Sequence, residues 1–383
     1  MASSSSPETF PLLAKYAPPL VKYIPPIFSR KNMEKLGEAP APLGHSPAFP
    51  IPSFTRALPP TKQTPLQTPQ AIAHRGLKAH YPENTMLGFR AALAAGAHAL
   101  ETDIHLARDG TVVLAHDPSL KRCFGREGKI ADYDWPELAE MRTAATPPQP
   151  MPRLDEFLIW LAEEQNEAVW VLLDVKMDDV ADVLMRRVAE TITSVAVREG
   201  ARPWTERIVL GIWATKYLPI CNTRLPGFPV AHIGFSTTYA GQFFAVPNIA
   251  FNLLQISLYG PFGGAFVRKA RRLGRPVYAW TVNEERRMRF GLRQGLDGII
   301  TDDVGAYLRV RDEWVRRRVE GSEEGLVGER VQKVKGDEVW WSWKDVVDAI
   351  KIQGLAVVFL LLIRWHFGWG VERKFVMQSV AVG

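Results

Sequence analysis

Over residues 70–310 the sequence predicts an α/β TIM barrel, a closed ring of eight strand–helix units. Three observations carry this expectation. Eight short apolar runs recur through the segment, and most gaps between them hold a stretch with helical periodicity. The segment is about 240 residues long, close to the roughly 250 that such a barrel takes. An open doubly wound sheet would want a glycine-rich phosphate loop after its first strand, and none follows Ala71–Ala73.

The strand-like runs are, in order, Ala71–Ala73, Ala99–Ile104, Val169–Val175, Ile208–Ile212, Val230–Phe235, Leu253–Leu258, Val277–Trp280 and Gly298–Thr301. The helical stretches are Thr85–Ala95, Leu154–Glu164, Val180–Arg198, Gly264–Leu273 and Glu284–Gln294. In the third of these, Val180, Val183, Leu184, Val188, Ile192 and Val195 recur three or four apart, which predicts one buried face. Asp109-Gly110, between Ile104 and Val112–Ala115, predicts a hairpin turn as a local elaboration.

The flanks differ in composition. Residues 1–69 form a Pro/Ser-rich head, expected to be disordered: 15 of the chain's 29 prolines fall within the first 70 residues, and they interrupt every apolar run. That argues against a secretory signal and gives little support to a transit peptide. Residues 311–345 read as a charged linker or helix. Residues 346–383 read as a hydrophobic tail. Its strictly apolar core, Leu355–Ile363, is nine residues long, short of the ~20 that span a bilayer. Flanking tryptophans with Lys351 and Arg364 extend it into a membrane-inserted or interfacial helix, or alternatively one packed on the barrel or a partner.

Charge narrows the partners. The first 70 residues carry seven Lys/Arg against three Asp/Glu, while 71–310 carry 28 against 27. A nearly neutral barrel offers no basic face for nucleic acid. The basic head suits an anionic membrane surface, or is simply a solvated tail. Two cysteines without metal-ligand or disulfide spacing fit a reducing compartment. Protein partners and oligomeric state leave no mark in the sequence.

Chemistry concentrates at strand ends. Glu101 and Asp103 lie two apart on one strand and so point the same way. Asp174, ending the next run, would face them. Three carboxylates, with water and phosphate oxygens, suit Mg²⁺ or Ca²⁺; any one alone reads equally well as a salt bridge or cap. His74 and His116 follow two further apolar runs. Histidine serves as acid or base near neutrality, and cleaving a phosphodiester needs both. Arg75 offers a planar fork for phosphate oxygens, and Lys176 a second cation. Glu83 is expected to support Arg75 or His74, and Asn84 or Thr85 to cap the following helix. Trp280 reads either as an apolar wall for a glycerol or acyl-glycerol group or as core packing. Asp297–Asp302 reads as architectural.

Taken together, His74-Arg75-Gly76, Pro82-Glu83-Asn84-Thr85, Glu101-Thr102-Asp103, Asp109-Gly110, His116-Asp117, Asp174-Val175-Lys176, Trp280-Thr281-Val282-Asn283 and Gly298–Asp302 resemble the glycerophosphodiester phosphodiesterase family, in order and along the whole barrel. The resemblance implies a metal-dependent phosphoric diester hydrolase. His74 and His116 would be its acid/base pair, Glu101 and Asp103 metal ligands, and Arg75 and Lys176 phosphate contacts. The family often has Glu where this chain has Asp174, so a looser metal contact is expected there. Within the family, Lys78–Thr85, Leu173–Lys176, Gly211-Ile212-Trp213, Ile300–Asp303 and the apolar tail resemble fungal phosphatidylglycerol phospholipase C. That resemblance implies cleavage of phosphatidylglycerol to diacylglycerol and glycerol phosphate. The apolar tail and the two cysteines point to a membrane-associated protein on the cytosolic face of an intracellular membrane, such as the endoplasmic reticulum, a lipid droplet or a mitochondrion. The alternative is hydrolysis of soluble glycerophosphodiesters to glycerol 3-phosphate and an alcohol.

Overall fold

The computed structural model of the protein describes residues 49–62 and 64–323, with isolated positions at 347, 351 and 354. Strands β1 (Gln70–His74), β2 (Ala99–Leu106), β3 (Val112–Leu114), β4 (Trp170–Val175), β5 (Ile208–Ile212), β6 (Val230–Gly234), β7 (Ala250–Leu254), β8 (Val277–Trp280) and β9 (Gly298–Thr301) form one sheet. Its order is β1-β9-β8-β7-β6-β5-β4-β2, and β1 pairs with β2 to close the ring. All eight ring pairings are parallel. β3 adds to β2 as an antiparallel hairpin, with Ile104 opposite Leu114 and Leu106 opposite Val112. The expected TIM barrel and its hairpin are both present.

Period-two alternation divides each strand between two environments. One side chain in two points inward, where Ile72, Ala99, Leu172, Val209, Ala231, Ala250 and Ile300 fill the barrel with Trp170 and Tyr278. The other faces the helical layer: α1 (Met86–Ala94), α4 (Leu154–Leu161), α5 (Ala181–Ser194), α6 (Tyr217–Arg224), α8 (Gly260–Arg272), α9 (Glu285–Gln294) and α10 (Val304–Glu323). Among residues 49–323 three shorter helices accompany these: α2 (Lys121–Phe124), α3 (Trp135–Ala139) and α7 (Thr237–Ala240). The first two of these belong to an excursion between β3 and α4 with its own small core around Val113, Leu120, Ile130, Leu138 and Met151.

The structure revises three expectations. The run Leu253–Leu258 is displaced: the strand is Ala250–Leu254, and Gln255–Leu258 turns as a 3-10 helix. Asn252 hid this strand by breaking its apolar run, yet it is buried at an inward position. On α5 the buried face is Leu184, Met185, Val188 and Ile192, whereas Val180 and Val183 are exposed. Finally, the segment expected to be a disordered head is packed against the barrel from Phe49 onward. Phe54 stacks edge-on to Trp170. Gln70 Nε2 donates to the carbonyls of Phe54 (2.9 Å) and Arg56 (2.7 Å), while its Oε1 accepts from Trp170 Nε1 at 2.8 Å. The Tyr278 hydroxyl donates to Thr55 Oγ1. Prolines here favour an extended strap that closes the N-terminal mouth of the barrel, where the composition argument predicted disorder. The head before Phe49 lies outside the described residues, as does the tail 346–383 except for isolated positions. Among the described residues no helix is long and apolar enough to cross a membrane.

One core histidine makes the fold acid-sensitive. His232 on β6 stacks on Phe243, with ring centroids 4.0 Å apart and planes 15° from parallel. A Cβ on Gly234 would come within 2.6 Å of its Nε2, so glycine leaves that ring its place. Burial pushes its pKa down to about 3. The unfolded chain then takes up a proton below about pH 6.5 that the folded chain refuses. Stability is therefore present above that pH and lost as pH falls from about 6.5 toward 3, by up to ~1.4 kcal/mol per unit. Denaturant melts between pH 7 and pH 4.5 should show a His232→Phe protein losing stability less steeply than wild type. Equal slopes would refute the assignment.

Candidate active site

Above the apolar filling, the next inward position is polar on β1, β2, β4 and β7 and just past β9, whereas β5 and β6 carry Gly211 and Ile233 there. His74 follows Ile72, Glu101 and Asp103 follow Ala99, Asp174 follows Leu172, and Asp302 follows Ile300. They gather at the C-terminal mouth of the barrel. The cavity there measures about 110 Å³ and is lined by His74, Arg75, Glu101, Asp103, His116, Asp174, Lys176, Trp213 and Trp280 among others. The expected site residues thus converge, with Glu83 just behind them.

At the centre, Glu101, Asp103 and Asp174 bring one carboxylate oxygen each within 4.8 Å of one another, all three buried. The parallel register sets Asp103 beside Asp174 and Glu101 beside His74. The shorter Asp174 side chain still reaches the cluster. Burial, then the negative charge of Asp103, pushes the Glu101 carboxyl well up, and no cation pairs with it among the described residues. Burial likewise raises Asp174. At Asp103 burial opposes ionisation, but Lys176 and Arg75 outweigh it and hold the carboxyl well below its usual range. A hard divalent ion suits this donor set: three oxygens converging on one point, with less positive charge at hand than they need. Glu101, Asp103 and Asp174 would hold it.

The two cations expected to meet phosphate are held by these carboxylates. Lys176 Nζ lies 2.6 Å from both Asp103 Oδ1 and Asp174 Oδ2. Arg75 Nε is 3.2 Å from Asp103 Oδ2, and its Nη1 is 3.0 Å from Glu83 Oε1. The backbone N–H of Arg75, at a φ of 56°, donates to Glu101 Oε2 at 3.0 Å. Asn84, also at positive φ, donates to Asp103 Oδ2 at 2.9 Å and accepts from Thr102 Oγ1 at 2.8 Å. Thr85 is therefore the residue that caps α1, accepting from the Gly88 N–H.

Each expected acid/base histidine has a carboxylate on its Nδ1. His74 meets Asp302 at 2.6 Å, and His116 meets Asp117 at 2.6 Å. With Nδ1 engaged, Nε2 is the nitrogen left for chemistry. Burial, helped by Arg75 at His74 and by Lys176 at His116, lowers both imidazoles to about 4. Asp302 is thus a partner of His74, which corrects the architectural reading at that residue, while Asp297–Thr301 closes the barrel as expected. Burial would raise the Asp302 carboxyl, but His74 and Lys78 overcome that and bring it to about 2, with Asn283 Nδ2 donating to it at 2.7 Å.

Several contributors went unmarked in the sequence. Arg122, from α2, donates to both oxygens of Glu83 at 2.8 Å and to Asp117 at 2.5 Å, which ties Arg75 to His116 through a chain of charges. No local signal pointed to it, because its partners lie up to 39 positions away. Trp213 stood at a strand end without an assigned role. Its Nε1 donates to Asp174 Oδ1 at 2.7 Å, and its ring packs edge-on to Trp280 at 5.7 Å. The two indoles form one wall of the cavity, with Trp280 anchored through Nε1 to the Asn252 carbonyl at 3.0 Å. His105, buried two residues beyond Asp103 on β2, also went unremarked.

If the carboxylates take a divalent ion, folded protein should bind it in preference to unfolded chain. Mg²⁺ or Ca²⁺ at 100 times its Kd would then add about 2.7 kcal/mol. A rise in thermal midpoint is expected for wild type and none for Glu101→Gln. A wild-type midpoint indifferent to both ions would contradict the metal reading.

Comparison with known proteins agrees with this geometry. The profile of the glycerophosphoryl diester phosphodiesterase family matches residues 74–306. A glycerophosphodiester phosphodiesterase of Bacillus altitudinis is 26% identical over 256 residues, covering 63% of this chain and 98% of that protein. Human glycerophosphodiester phosphodiesterase 1 is 34% identical over 134 residues, 33% of this chain and 39% of that one. Among solved structures, an Oleispira antarctica phosphodiesterase in complex with the product sn-glycerol-3-phosphate superposes with a TM-score of 0.55 at 20% identity, covering 64% of this chain and 97% of that one. A glycerophosphodiester phosphodiesterase of Agrobacterium tumefaciens gives 0.52 at 17%, covering 63% and 99%. The family match spans more than half of the chain, from the first site histidine to just past the last barrel strand: the protein belongs to the glycerophosphoryl diester phosphodiesterase family and is a phosphoric diester hydrolase.

Proposed function

We propose that the protein hydrolyses a glycerol-bearing phosphodiester and releases glycerol phosphate. The observation that carries this reading is the pairing of two carboxylate-backed imidazoles with a buried three-carboxylate cluster in one cavity. Relatives named as glycerophosphodiester phosphodiesterases match along the whole barrel, which favours a soluble glycerophosphodiester as substrate.

The chemistry follows from this chain's own groups. A glycerol hydroxyl next to the ester oxygen attacks phosphorus, and the reaction is effectively unimolecular because the two are already joined. One imidazole, neutral after burial, takes the hydroxyl proton at Nε2. The other gives a proton to the departing alkoxide, and the negative phosphodiester beside that ring favours its charged form. Water then opens the cyclic phosphate with the two rings exchanging roles. Arg75 and Lys176 offset the charge on the non-bridging oxygens. A divalent ion on Glu101, Asp103 and Asp174 would polarise the phosphoryl oxygens and lower the barrier to attack.

A second reading takes phosphatidylglycerol as substrate, with diacylglycerol as the leaving alcohol. The Trp213–Trp280 wall favours it, since it gives an apolar surface on one side of a polar cleft. The apolar sequence of 346–383 favours it as well. On this reading the tail attaches the enzyme to the cytosolic face of an intracellular membrane, and phospholipid and membrane surface are its partners. The metal would be Mg²⁺ or Ca²⁺ on either reading.

Mass spectrometry of products from full-length protein, given glycerophosphocholine and phosphatidylglycerol micelles in parallel, tests both. Chelator-sensitive glycerol phosphate from glycerophosphocholine supports the first, and diacylglycerol from phosphatidylglycerol alone replaces it with the second. His116→Ala should lower kcat by about 10²- to 10⁴-fold; full activity in that variant would remove His116 from the mechanism.

A further inference from the structure

His105 stands two residues beyond Asp103 on β2, at the next inward position, and its side chain is 2% exposed. It is not among the residues that line the cavity. Its Nδ1 meets Asp179 Oδ2 at 2.9 Å, and its Nε2 meets the backbone carbonyl of His116 at 3.2 Å. Both partners are acceptors, so both ring nitrogens donate.

The two contacts join separate loops. Asp179 lies three residues after Lys176, in the loop between β4 and α5. His116 lies just past β3, at the start of the excursion. Before it the backbone is tied to β2 by the β2–β3 ladder, with Ile104 opposite Leu114, and by the Ala115 N–H donating to the Asp103 carbonyl at 3.1 Å; at His116 itself the tie to β2 is the His105 side chain. The His116 side chain is oriented by Asp117, whose own link to the barrel is indirect, through Arg122 and Glu83 to Arg75. The link through His105 is direct, because it sits on the strand that carries Glu101 and Asp103.

We propose that His105 is a positioning residue for the hydrolysis. It fixes the height of His116 over the carboxylate cluster by holding its carbonyl, and through Asp179 it holds the Lys176 loop in the same register. A displacement of about 1 Å at a reacting group costs on the order of 100-fold in rate, so a hydrogen bond to one carbonyl matters at this position.

The test uses full-length His105→Leu, His105→Gln and Asp179→Asn. Each is assayed on whichever of glycerophosphocholine and phosphatidylglycerol the wild type turns over, at a temperature where its melting curve shows it folded. His105→Leu should lose about 10- to 100-fold in kcat with KM within about twofold. His105→Gln, whose amide nitrogen takes the place of Nε2, should recover most of that loss. In a His116→Ala background, His105→Leu should cost clearly less than it does alone, because the part of its effect that runs through that ring is already gone and only the part through the Lys176 loop remains. Hydrogen exchange over residues 115–119 should quicken in His105→Leu and Asp179→Asn. Unchanged exchange in both, or losses that add in the double variant, would overturn the proposal. So would quickened exchange with wild-type kcat. If His116→Ala also keeps full rate, the failure lies instead with His116 as acid or base.

Discussion

Three carboxylates share a space in which their oxygens lie within 4.8 Å, shielded from water at the top of a barrel. Left to themselves such groups would repel or take up protons, because burial removes the water that would screen them. The surrounding residues answer that repulsion. Lys176 bridges two of the carboxylates, and Arg75 reaches a third atom of the set while its N–H meets Glu101. Two positive side chains against three carboxylates still leave negative charge over, and Glu101, without an ion-pair partner among the described residues, bears it. A divalent cation has its natural place there.

Charge then spreads outward in a definite order. Asp103 holds Arg75, Arg75 holds Glu83, Glu83 holds Arg122, and Arg122 holds Asp117, the partner of His116. Each group in this chain answers the charge of the one before it. The excursion between β3 and α4 therefore has a function in the site: it delivers Arg122, and with it one end of the chain. The same logic explains the helix register around Asn84. Its positive φ turns the amide toward Asp103 and leaves capping to Thr85.

Much of this was legible in the sequence, and the reason is periodicity. Strands buried on both faces give continuous apolar runs, and a polar residue at the end of such a run stands out, as His74 and Asp174 do, while Glu101 and Asp103 stand out as a same-face pair of carboxylates within one. Ala250–Leu254 was misplaced because Asn252 makes the same kind of break in mid-strand. Partners brought together by the fold leave no such mark. Arg122 and Glu83 are 39 positions apart, and His74 and Asp302 are 228 apart. Proline content misled at Phe49–Pro69, because composition registers the lack of helix and strand but says nothing of a strap held by Gln70 and Tyr278 from the barrel side.

The two histidines differ in how they are fixed, and this bears on which does what. His74 sits on β1 itself, and its carboxylate, Asp302, follows β9, the neighbouring strand. Both members of that pair are part of the barrel wall. His116 and Asp117 are consecutive residues of a loop, and their anchors are Arg122 and the contacts to β2. Side-chain exposure follows the same contrast, 10% at His74 and 27% at His116. A ring set into the wall suits a step whose geometry is the same for every substrate, the attack by the glycerol hydroxyl. A more open ring on a loop suits the step that varies with the leaving alcohol, whether choline or diacylglycerol. On the mechanism proposed above, this contrast assigns proton donation to the leaving group to His116 and proton abstraction to His74.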